Sequence, residues 1–93
     1  MNLTELKRRL QPGTKLVKIF QQGKGIVNEP KTVLEVKPTS IILCGDNDDI
    51  SHTTFLNYPK ARDVKFTQNG FEIYRGDELR IAFEFAIIPV EFK

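Results

Sequence analysis

The sequence predicts an α+β domain: a short N-terminal helix packed on a strongly bent antiparallel β-meander, forming a small open barrel. Three observations carry this reading. Leucines recur at helical spacing only at the start of the chain. After Gly13 short β-branched and aromatic runs take over, separated by Gly, Pro, Asn and Asp. The run at 79–85 alternates apolar with polar residues. A chain of 93 residues suits one domain over 1–93, with the helix at about 3–11, the meander at about 14–86 and an apolar tail at 87–93.

The helix comes first. In "NLTELKRRLQPG", Leu3, Leu6 and Leu10 share one face, Thr4 is placed to cap, and Pro12 with Gly13 stops the helix. Two to three turns are marginal in water alone, so the leucine stripe must dock on an apolar surface. Strands are then expected at "KLVKIFQ", "TVLEVK", "SIILC", "HTTFLN", "DVKFTQ", "FEIYR" and "LRIAFEFA". The last is the clearest, because Leu79, Ile81, Phe83 and Phe85 fall on one face and Arg80, Ala82 and Glu84 on the other.

The turns fit hairpins. Asn69-Gly70 stands between two β-rich runs, as a type I′ turn with positive φ at both central positions requires, and Gly76-Asp77 repeats the device. Regular punctuation favours sequential antiparallel pairing, and a twisted meander hides its edges best as an open barrel capped by the helix. In the tail, Ile88, Val90 and Phe92 alternate with Pro89, Glu91 and Lys93, and Pro89 confines the segment to an edge. Folding back over the barrel opening is the expectation, with addition to another chain as the alternative.

Composition sets the outer limits. Apolar residues make up 40% and charged residues 28%, ordinary globular usage. "IAFEFAII" contains a glutamate and falls short of the roughly 18 apolar residues of a membrane helix. "MNLTELKRRL" lacks the layout of a signal peptide. The expectation is a soluble, cytoplasmic protein that does not enter a membrane. A single cysteine makes no intrachain disulfide, and Cys44, ending the apolar run "IILC" beside Gly45 and acids, reads as a core thiol.

Four stretches invite a functional reading. "CGDNDDISHTTF" gathers three aspartates with the only cysteine and histidine. As a calcium loop begun at Asp46 it fails at Ile50, Ser51 and Asn57. Zinc would have one cysteine and one histidine. A Cys44–His52 nucleophile would have its thiol pKa raised by the flanking acids. A solvated Asp/Asn turn accounts for the composition, so no metal, cofactor or catalytic residue is assigned. "QQGKGIVNEPK" sets two glycines around Lys24 but lacks the spacing of a phosphate loop and leads into a strand, which leaves it as a flexible, ligand-facing loop between the first two strands.

Charge is the third lead. Residues 1–40 hold eight Lys/Arg against three acids and the remainder six against nine, so +5 faces −3. That asymmetry places basic groups such as Lys7 and Arg8 on the helix. The fourth stretch is "FLNYPKARDVKF", where Tyr58-Pro59 reads as a rigid turn flanked by Lys60 and Arg62. It is chiefly a structural corner, and an aromatic peptide-binding surface otherwise.

In size and strand rhythm the chain resembles barrels of the Src-homology-three kind. With its "ELKRRLQPGT" opening and "YPKARDVKF" centre it is similar in outline to small bacterial proteins, some of them from phage and other mobile elements. Neither string implies a mechanism. The functional expectation is a small non-enzymatic binding or regulatory module that contacts a protein partner, a monomer or weak dimer. Nucleic-acid binding through the basic N-terminal half is the alternative, and a small hydrolase ranks third. Lys7, Arg8, Lys24, Tyr58, Lys60 and Arg62 are the candidate binding residues.

Overall fold

The leucine stripe folds as its spacing dictates. Helix α1 (Leu3–Arg9) buries Leu6 and holds Leu10 at its C-cap, where the Leu10 amide donates to the Leu6 carbonyl. The cap is Asn2 rather than Thr4: the Glu5 amide donates to Asn2 Oδ1 at 2.8 Å, because the helix already begins at Leu3 and Thr4 lies inside its first turn. At the other end the Thr14 hydroxyl donates to the Arg9 carbonyl and accepts from the Gln11 amide, closing the turn that leads into the sheet.

This computed structural model describes residues 1–45 and 53–86. Among them the chain forms β1 (Lys15–Gln21), β2 (Gly25–Val36), β3 (Ser40–Cys44) and β4 (Thr54–Asn57), then a 3₁₀ turn (Ala61–Asp63), then β5 (Val64–Phe66), β6 (Gly70–Arg75) and β7 (Glu78–Phe85). The strands make one antiparallel sheet ordered β4-β3-β2-β1-β7-β6-β5, curled into a half-barrel. Sequential hairpins build each half, and β7 pairs back onto β1, with Leu16 opposite Phe85 and Gln21 opposite Ile81. The half-barrel therefore opens between β4 and β5, the two edge strands, which the segment 58–63 connects without pairing. Pro59 and the 3₁₀ turn carry the chain across that gap.

Two local expectations need correction. The long loop anticipated between the first strands is absent: β2 starts at Gly25, and only Gln22, Gly23 and Lys24 turn the chain. Positive φ at Gly23 (91°) and Gly25 (83°) makes this tight reversal accessible. Pro30 sits inside β2 opposite Val17, and among the described residues β3 pairs with β2 only from Thr32 onward, so at 25–31 no described strand flanks β2 on the side away from β1, where a missing N–H breaks no ladder.

Asn69-Gly70 also differs from its expectation. Positive φ falls at Gly13, Gly23, Gly25 and Gly76, not at Gly70, which is the first residue of β6. Gly70 is glycine for close approach: a Cβ there would stand 2.0 Å from the Phe83 carbonyl oxygen of β7. The turn lies one step earlier, where the Thr67 amide donates to the Gly70 carbonyl.

Leu6 and Leu10 from the helix enter one apolar cluster with Leu16, Val33, Ile41, Leu43, Val64, Phe71 and Phe83. Phe71 and Phe83 stack with ring centroids 5.4 Å apart. Cys44 is fully buried, as a small apolar residue would be. The helix closes one end of the half-barrel, since Gly13 and Thr14 bond to Val33 and Ala86 bonds to Lys15. The β1–β2 and β6–β7 turns meet at the other end, where the Gln22 amide donates to the Arg80 carbonyl and Gln22 Nε2 to Glu78. The polar turn read at 46–52 and the edge segment read at 87–93 lie outside the described residues.

Candidate binding cleft

The concave face of a curled sheet is built from alternate residues of each strand. On β1 those are Leu16 and Lys18, so a lysine occupies a position the alternation reserves for the core, and Lys18 is only 9% exposed. On β2 the same face carries Val27, Glu29, Lys31 and Val33. The register sets Lys18 directly opposite Glu29. Lys18 Nζ donates to Glu29 Oε1 at 2.9 Å and to Gln21 Oε1 at 2.6 Å, and Lys31 Nζ stands 3.9 Å from the same Glu29 oxygen.

Electrostatics follow from this geometry. The Glu29 carboxyl is held below its ordinary 4.5, chiefly by the hydrogen bond from Lys18; partial desolvation opposes the shift, and the charges of Lys18, Lys24 and Lys31 add to it. Two ammonium groups share one carboxylate, which leaves a net positive charge on an otherwise apolar wall.

In front of that wall, on the concave face, lies a cleft of about 490 Å³. Its polar lining comes from Lys18 and Gln21 of β1, Gln22 of the first turn, Thr54 and Asn57 of β4, and Tyr74, Arg75 and Arg80 of β6 and β7. Its apolar strip is Leu56, Ile73 and Ile81. Among the described residues three cations line the cleft and no carboxylate does. A smaller recess of about 50 Å³ adjoins it, sharing Lys18, Thr54, Leu56 and Ile81 and adding Lys31, Leu43, Phe55 and Phe83. Phe55 is 66% exposed, a large ring left in water beside the recess.

The residues singled out from sequence are divided between the two ends. Lys7 and Tyr58 meet at the helix end, with Lys7 Nζ 5.1 Å from the centre of the Tyr58 ring. Tyr58 packs on the apolar cluster, its amide donates to the Thr39 carbonyl, and burial pushes its phenol up from 10.0. Those contacts are what a corner residue makes. The Arg8 carbonyl accepts from Gln11 Nε2, and Arg8, Lys60 and Arg62 are exposed. Lys24 occupies the β1–β2 turn at the opposite end.

The basic half of the chain does not form a single face. Arg9 lies 3.9 Å over the Phe85 ring, Lys15 bonds Thr32 Oγ1, and Lys18 and Lys31 turn to Glu29. Lys18, Arg75 and Arg80 were missed as site residues because the fold, not the sequence neighbourhood, assembles them. A signal was available for one of them: Lys18 shares the inward register of "KLVKIFQ" with Leu16.

Among the described residues no cluster of three His, Cys, Asp or Glu side chains comes together to hold a metal, and no helix is long and apolar enough to cross a membrane. Comparison with protein-family models, curated proteins and solved structures found no match for the chain.

Proposed function

We propose that the chain is a non-enzymatic binding module that takes an extended, acidic segment of a partner protein into the cleft of its half-barrel. The observation that carries this reading is the lining itself: Lys18, Arg75 and Arg80 around an apolar strip of Leu56, Ile73 and Ile81, with no carboxylate among the described lining residues. Complementary charge steers the partner and fixes its register, the apolar strip supplies affinity, and the side-chain amides of Gln21, Gln22 and Asn57 are suited to a peptide backbone.

Fluorescence anisotropy tests it with two probes, a labelled peptide of alternating glutamate and leucine and a labelled oligothymidylate. The peptide is expected to bind and the double variant Arg75→Glu/Arg80→Glu to lose that binding while keeping the wild-type melting temperature. Binding of the oligonucleotide alone, falling steeply with salt as counterion release requires, would replace this reading with nucleic-acid recognition.

A further inference from the structure

We infer that the recess beside Lys18 and Lys31 receives the C-terminus of the partner segment, its carboxylate at the two ammonium groups and its last side chain, a small aliphatic one, among Leu43, Leu56 and Phe83. The inference rests on the cleft being a protein-binding site and adds which part of the partner it reads. Lys31 Nζ is 3.9 Å from Glu29 Oε1, beyond hydrogen-bond length, while Lys18 takes that oxygen at 2.9 Å. Lys31 thus has a charge partner without a hydrogen bond to it, and its side chain is only 15% exposed.

One carboxylate between two ammonium groups leaves a positive charge beside apolar surface, a setting in which an uncompensated ion is costly and an incoming anion is favoured. An internal acidic side chain would bring the charge, but its backbone would continue in both directions. A chain terminus brings carboxylate and side chain together from one residue. The volume of about 50 Å³ suits an aliphatic group of a few carbons. The recess adjoins the larger cleft through Thr54, Leu56 and Ile81, so the preceding residues of the segment have room to lie extended past Arg75 and Arg80.

The test uses the intact protein, immobilised, and a library of random hexapeptides ending in valine, made once with a free carboxylate and once as the amide. Capture is read by mass spectrometry, and a captured peptide is then titrated in solution. The free acid is expected to be captured and the amide not. Lys31→Met should weaken the titrated peptide roughly tenfold, the worth of about one charge-assisted hydrogen bond, and Lys31→Arg should restore most of it. Equal capture of acid and amide would overturn the inference while leaving the cleft as a protein-binding site. Capture of neither would overturn both. Unchanged affinity in Lys31→Met would remove the recess from the site. Isovalerate binding as tightly as the peptide would reassign the recess to a small free acid. The acid–amide comparison is made on the wild type, so it stands even if the variants fold poorly.

Discussion

Lys18 and Glu29 face each other across β1 and β2 with 2.9 Å between ammonium and carboxylate, on the side of the sheet that the strand alternation turns inward. A half-barrel of this size would otherwise fill that position with another aliphatic side chain. Retaining a charge pair there, with a second lysine on the same carboxylate, gives the concave face a polar, cationic character that the apolar cluster nearer the helix lacks.

Glu29 links that pair to pH. Its folded-state pKa lies below the ordinary 4.5, so the stabilisation it provides is fully present above about 4.5 and is lost as pH falls through the lowered value. Glu29→Gln should therefore be less stable than wild type at neutral pH, with the gap closing as pH drops below 4.5. Urea unfolding from pH 7 to pH 3 checks this, and a gap that stays constant over the range would contradict it.

Gly70 makes a sharper structural claim. A Cβ at this position meets the Phe83 carbonyl oxygen at 2.0 Å and the Glu84 Cα at 2.7 Å, both backbone atoms that cannot swing aside. Gly70→Ala should cost roughly 2–3 kcal/mol by forcing β6 from β7. Were Gly70 a turn residue instead, Gly70→Asn would be tolerated and Gly70→Ala only mildly harmful.

Leu6 is fully buried between the helix and the sheet. Leu6→Ala should cost roughly 2–4 kcal/mol in equilibrium unfolding, as other large-to-small core substitutions do. A loss within measurement error would mean that the helix is not a structural cap.

The two tyrosines offer an optical check. Burial raises the Tyr58 phenol, and a hydrogen bond to Glu72, 3.1 Å away, raises that of Tyr74, with Glu72's charge adding. Absorbance titration should show both ionising above 10.0, and Glu72→Gln should bring one of the two back toward it.

How much of this was legible in the sequence depends on the range over which each feature is encoded. The leucine stripe, the last strand and the Gly76-Asp77 turn are local, and each appears where it was read, though the strand's two faces are less cleanly divided than the alternation implied: Ala82 is buried beside Phe83, and Arg80, at a shift in register, lines the cleft with Ile81. The start of β2 was hidden because Lys24 between two glycines, followed by Pro30, reads as a loop. Only the stopping of the β2–β3 pairing at Thr32, among the described residues, explains why a strand can hold that proline. The pairing of β7 onto β1 joins Leu16 to Phe85, and nothing near either residue specifies it.

The site was less legible still. Clustered features such as Lys7, Arg8 and Tyr58 drew the sequence reading, and the fold uses Lys7 and Tyr58 on each other. The cleft is assembled from Lys18 and, more than fifty residues further along the chain, Arg75 and Arg80 of the β6–β7 hairpin, joined only when the sheet curls. Neither Arg75 nor Arg80 carries a local mark that distinguishes it from an ordinary solvated arginine.

Backbone amide chemical-shift mapping tests the cleft most directly. On titrating the glutamate–leucine peptide into the labelled protein, the account predicts saturable shifts concentrated at Lys18, Leu56, Ile73 and Ile81, absent in Arg75→Glu/Arg80→Glu. Shifts concentrated instead on Lys7, Arg8, Tyr58 and Arg62, with the strands of the cleft unmoved, would contradict it and place the binding surface at the helix end.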